Sequence, residues 1–157
     1  MAPSPSLTSN NPCLTLSAAR HATAACERKA QELGIPMNIA IVDSTLHLLS
    51  FSRMPGAKLT SIDIAINKAF TAAGHRVPTH NYKEAVWPGG AAYGINLSNG
   101  GRFMVIAGGV PVVDGEGHVL GAVGCSTGTP DQDRQVSEAG VAALKEALSK
   151  ENPRAKL

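Results

Sequence analysis

Apolar and small residues recur at Leu16, Ala19, Thr23, Cys26, Ala30 and Leu33. The steps alternate between three and four, the period of a helix with one buried face. Thr15 or Ser17 can cap its start, and Gly34 with Pro36 ends it. Met37–Asp43 (MNIAIVD) and Leu46–Arg53 (LHLLSFSR) then read as strands. Ser44-Thr45 separates them, which predicts a hairpin whose turn lacks the usual glycine. Thr60 opens a second helix after the Met54-Pro55-Gly56 break, with Asp63 completing a shortened capping box. Ile62, Ala65, Ile66, Ala69 and Phe70 form its apolar stripe, and Gly74 and Pro78 limit its end. Thr79–Val86 reads as a short helix capped by Thr79.

Trp87–Asn96 is rich in Gly and Ala and shows no clear period. Asn99-Gly100 signals a hairpin, and Phe103–Ala107 (FMVIA) reads as a strand. Gly108-Gly109 is a break or bulge. Val110–Val113 is a strand that Pro111 assigns to an edge or a bulge. Asp114-Gly115 makes a turn into the last strand, His118–Gly124. Thr129 at the cap, Pro130 at the first helical position and Gln132 at the third open the final helix. Val136, Gly140, Ala143, Leu144, Ala147 and Leu148 line one of its faces. The order α-β-β-α-(α)-β-β-β-α implies a mainly antiparallel sheet covered by helices, an α+β layout.

The length of 157 residues suits one domain, placed at 14–150 between tails at 1–13 and 151–157. A net charge of +2 and 4% aromatics give no basic stripe or stacking platform, so nucleic acid is not an expected partner. Cys13, Cys26 and Cys125 form no CxxC pair, and their odd number fits a reducing compartment. Residues 1–12 have neither a basic nor an apolar leader region, and no run is long enough to span a membrane. The expectation is a soluble cytoplasmic protein.

Several stretches carry a family likeness. They are Ile39-Ala40-Ile41-Val42-Asp43, Arg53-Met54-Pro55-Gly56-Ala57 and Ala65-Ile66-Asn67-Lys68-Ala69-Phe70-Thr71-Ala72. To these add Ala107-Gly108-Gly109-Val110-Pro111-Val112 and the run from Gly121 to Asp133. Together they resemble the GlcG/HbpS-like, or heme-degrading-type, family over about residues 14–148. The likeness implies a five-stranded antiparallel sheet with helices on both faces, as in profilin and roadblock-type domains. It also implies homo-oligomers and, in some members, bound heme. Two departures from the family pattern are Pro55, where the family carries an acid, and Thr127, where it carries a glycine.

Gly124-Cys125-Ser126-Thr127-Gly128 matches GxSxG formally, but no His follows His118 and the parallel sheet of an α/β-hydrolase is missing. The turn at Ser126, Gly128 and Thr129 is better read as an anion site at a helix start, against a plain capping loop. Lys68 falls off the Ile62–Phe70 stripe, which places it at a pocket rim, as a solvated lysine or in a subunit salt bridge. His75 is a pocket histidine able to move protons or ligate iron, and His21 on the first helix is a second axial candidate. Asp43 is either a third acid/base group or a turn cap. Arg53 can hold a ligand carboxylate. The pocket is expected between the Lys68–Thr71 helix, the Gly108-Gly109-Pro111 element and the Gly124–Thr129 turn. No P-loop, GxGxxG, HExxH, EF-hand or zinc pattern is present.

Three functions follow. One is a small-molecule-binding protein for heme or another planar anionic ligand. Another is a cofactor-independent isomerase, cyclase or lyase using His75, Lys68 or Asp43. An oligomeric accessory protein without a ligand is a third.

Overall fold

The computed structural model describes residues 6–151, so the outermost parts of both expected tails lie outside the described residues. Helix α1 runs Leu16–Glu32, capped by Thr15, whose hydroxyl accepts the Ala18 amide at 3.2 Å. Strands β1 (Asn38–Asp43) and β2 (Leu48–Arg53) form the first hairpin. Helix α2 spans Ser61–His75. Two short 3-10 turns, Thr79–Asn81 and Lys83–Val86, stand where a short helix was expected. After the single turn α3 (Ser98–Gly101) come β3 (Gly109–Val113), β4 (Val119–Ser126) and α4 (Pro130–Glu151).

The sheet is antiparallel with order β2-β1-β4-β3. Among the described residues it has four strands, not the five implied by the family likeness. The missing strand is Phe103–Ala107, whose backbone pairs with side chains instead of a neighbouring strand. Thr71 Oγ1 accepts the Met104 amide at 2.8 Å, and the Thr79 hydroxyl donates to the Ile106 carbonyl at 2.7 Å. Thr79 Oγ1 also accepts the Gly109 amide at 2.9 Å. Within the segment these bonds take up the Met104 amide and the Ile106 carbonyl, two groups a ladder would otherwise pair. Asn99 and Gly100 adopt the left-handed conformation their sequence predicts, but no strands flank them. Pro111 sits on β3, an edge strand, as expected.

Period-two alternation splits the core between the two faces. Ile39, Ile41, Val110, Val112, Val123 and Cys125 pack with α1 and α4 on one face. Ala40, Val42 and Ala122 meet α2 on the other. Helix α2 lies flat because its contact face is alanine, at Ala65, Ala69 and Ala72, against glycine in the sheet. A Cβ on Gly124 would sit 2.2 Å from the Ala65 carbonyl oxygen. The expected stripe is therefore rotated: Ile62, Ile66 and Phe70 are only half-buried, while Lys68 is on the buried face.

Both hairpins at one end of the sheet use the same device. In each, an Asp carboxylate oxygen accepts the amide of a His four residues on, Asp43 from His47 and Asp114 from His118. The Asp amide in turn donates to the His carbonyl at 3.0 Å in both. The residue before the His is left-handed in both, Gly117 at φ 88° and Leu46 at φ 71°.

Candidate functional site

A groove of about 420 Å³ lies between the start of α1 and the end of α4, more than twice the volume of the cavities beside His75 and beside Arg76. Its walls include Leu14, Ala18, Leu120, Leu144 and Leu148, with Cys13 and His21 supplying the softer donors. The α1 periodicity that buries Ala19, Ala22 and Cys26 leaves His21 exposed at the groove, and the imidazole has no hydrogen-bond partner among the described residues. Such a group is free to take a metal or a ligand proton. Cys13 contacts Ser44 Oγ at 2.7 Å.

The elements expected to frame the pocket do meet, but they close on one another. Lys68 is 1% exposed; its ammonium donates to Asp133 Oδ2 at 2.7 Å and to the Cys125 carbonyl at 3.1 Å. Gly108 fits there only without a side chain, since its Cβ would lie 2.6 Å from the Cys125 oxygen and 2.9 Å from Lys68 Nζ. Gly109 packs as closely on the Lys68 carbonyl. Lys68 is thus no rim residue, because the alanine face of α2 carries it inward and Asp133 neutralises it there.

The anion expected at the Ser126–Thr129 turn is the protein's own. Asp133 Oδ1 accepts the Gly128 amide at 2.9 Å. Thr129 and Gln132 close a reciprocal capping box, with contacts of 2.9 and 3.3 Å. Ser126 is buried at the end of β4 opposite Asn38. Thr127, where the family carries glycine, has φ 153° and accepts from Asn38 Nδ2 and the Lys58 amide.

The acid/base candidates have separate partners. Asp43 caps its turn through Thr45 and His47. Burial pushes its carboxyl upward, but hydrogen bonds from the Thr45 hydroxyl and the His47 and Thr45 amides outweigh this and hold it below the ordinary range. His75, at the exposed end of α2, packs edge-on against Phe103 and Tyr82, with ring centroids at 5.2 and 5.8 Å. It shares a cup of about 180 Å³ with Thr71. Burial lifts the Tyr82 hydroxyl to about 12. Arg53 is exposed at the end of β2, and Pro111 is buried in β3. Cys125 is buried beside Cys26, and that contact with burial pushes the Cys26 thiol well up, so Cys26 is no reactive thiolate.

Sequence reasoning had no signal for the groove, because its walls come from chain segments more than a hundred residues apart. Asp114, Glu116 and His118 place ligand atoms within 4.8 Å of one another, but they are largely exposed and the turn already engages Asp114.

Residues 14–142 match the model of the family described as haem degrading protein HbpS-like. The chain belongs to the HbpS-like family. A 15.0 kDa protein of the dhaT-dhaS intergenic region of Citrobacter freundii is 41% identical over 133 residues, covering 85% of this chain and 93% of its own. The crystal structure of Klebsiella pneumoniae protein ORFY superposes with a TM-score of 0.87 at 34% identity, covering 90% of this chain and 97% of that one. A PduOC:heme complex superposes at 0.79 with 31% identity, covering 83% and 94%. HbpS-like folds thus include one solved with heme. No helix among the described residues of this HbpS-like chain is long and apolar enough to cross a membrane.

Proposed function

We propose that this protein binds heme, or a planar anionic molecule of similar shape, in the groove between α1 and α4, with His21 as the axial ligand. The observation that carries this reading is His21 itself, without a hydrogen-bond partner among the described residues and lining a groove of about 420 Å³. The donor set fits the group. A neutral imidazole is a common ligand of heme iron, and the leucine walls supply an apolar slot. The heme complex of a 31% identical relative supports the same ligand class. When bound, the heme would supply iron for redox or gas-ligand chemistry. The protein's part is to present one imidazole and to hold the ring edge out of water.

We also propose that the chain works as a homo-oligomer. The exposed side chains of Trp87, Tyr93 and Leu97 support this, because so much apolar surface on one loop segment commonly marks an interface. Sedimentation velocity tests it, and a purely monomeric species would remove it.

The test of the ligand is a hemin titration followed by the Soret band, on wild type, His21→Ala and His75→Ala. Saturable one-to-one binding is expected for wild type and His75→Ala. Loss of at least tenfold in affinity is expected for His21→Ala. Equal weak binding by all three would overturn the reading.

A further inference from the structure

The cup beside α2 is separate from the groove and shares no lining residue with it. Leu46, Phe70, Gly74, His75 and Phe103 shape it, with Asn99 at its edge. Two locally unfavourable choices meet there. Leu46 holds a left-handed backbone at φ 71° in a turn whose twin carries Gly117 at the same position. A side chain pays strain in that conformation that glycine avoids. Gly74 lies inside a helix, where alanine would be better by about 1 kcal/mol. A Cβ at Gly74 would sit 3.3 Å from Leu46 Cδ1. Both residues line the same cup.

The cup is also preorganised. His75 is fixed by edge-on contacts to Phe103 and Tyr82, at interplanar angles of 84° and 79°. Its ring nitrogens have no hydrogen-bond partner among the described residues, whereas the Thr71 hydroxyl is fully engaged with Asn67 and Met104. The Arg102 guanidinium lies 3.9 Å over the Phe70 ring, so a positive charge stands beside the cup, although Arg102 does not line it and its Nε donates to Asn67 Oδ1. No carboxylate lines the cup. Its volume of about 180 Å³ is below that of drug-sized sites, roughly 300–1,000 Å³, and suits one ring.

We propose that this cup binds a single-ring aromatic carboxylate, its ring between Phe70, Phe103 and Leu46 and its oxygens toward His75. The site stands independently of the heme reading.

Benzoate is the probe, titrated against the labelled protein and followed by NMR at the Gly74 amide and the His75 ring. A molecule of this size is expected to saturate with a Kd on the order of 1 mM. His75→Ala, at an exposed position, should fold and weaken binding about tenfold. Leu46→Gly should relax the turn and weaken binding similarly. His21→Ala should bind benzoate as wild type does. Cyclohexanecarboxylate and benzyl alcohol should each bind more weakly than benzoate. Shifts that do not saturate, an unchanged Kd in His75→Ala, or equal binding of benzyl alcohol would each overturn the proposal.

Discussion

Lys68 Nζ lies 2.7 Å from Asp133 Oδ2, 65 residues along the chain, and both side chains are buried. The pair ties α2 to the start of α4 through the sheet. Asp133 Oδ1 also accepts the Gly128 amide, and the Lys68 ammonium also donates to the Cys125 carbonyl.

Breaking this pair from one side leaves a buried charge. Lys68→Met or Asp133→Leu alone is expected to cost about 3–5 kcal/mol in urea unfolding. The double variant should recover most of that loss. A double variant no better than the sum of the singles would refute the pairing as the source.

Thr127 sets backbone strain against two accepted hydrogen bonds. Thr127→Gly should therefore stay within about 1 kcal/mol of wild type, since strain relief and lost bonds are of similar size. Thr127→Val keeps the strain and loses the acceptor, and should cost about 1–3 kcal/mol. Chemical denaturation of the two variants side by side checks the ordering.

Close helix–sheet contact makes Gly124 intolerant of a methyl group. Gly124→Ala must push α2 outward and is expected to lose at least about 1–3 kcal/mol. Thermal unfolding measures it, and a neutral result would mean that α2 does not lie as close as described.

Acid should loosen the two Asp–His hairpins together. Burial acts to raise the Asp43 and Asp114 carboxyls, but hydrogen bonds outweigh it and both sit below their ordinary value in the folded chain. Their contribution is complete above the unfolded value of about 3.9 and drains away as pH falls through the folded values. Asp43→Asn with Asp114→Asn should therefore flatten the loss of stability below about pH 4. An acid transition as steep as wild type would place the acid-sensitive groups elsewhere.

Local chemistry was legible where it is satisfied locally. The Thr129–Gln132 capping box, the Thr15 cap and the edge position of Pro111 follow from neighbours within a turn or from a missing N–H. Thr60 and Asp63 show the limit, because Thr60 is itself in a helical conformation and its side chain caps nothing. Phe103–Ala107 had the composition of a strand, but Thr71 and Thr79, from distant segments, took up the Met104 amide and the Ile106 carbonyl.

From sequence alone came the three long helices, four of the five predicted strands, the antiparallel α+β layout and the family. Periodicity, caps and turn residues act over a few residues, and the motifs lie along one line. The inward turn of Lys68, the internal anion at Gly128 and the placing of His21 and His75 in different cavities were decided by the tertiary structure. Each depends on which helix face the sheet accepts. Alanine and glycine pack closer than isoleucine and phenylalanine, and that steric preference, expressed only when helix meets sheet, turned α2 away from its most hydrophobic stripe.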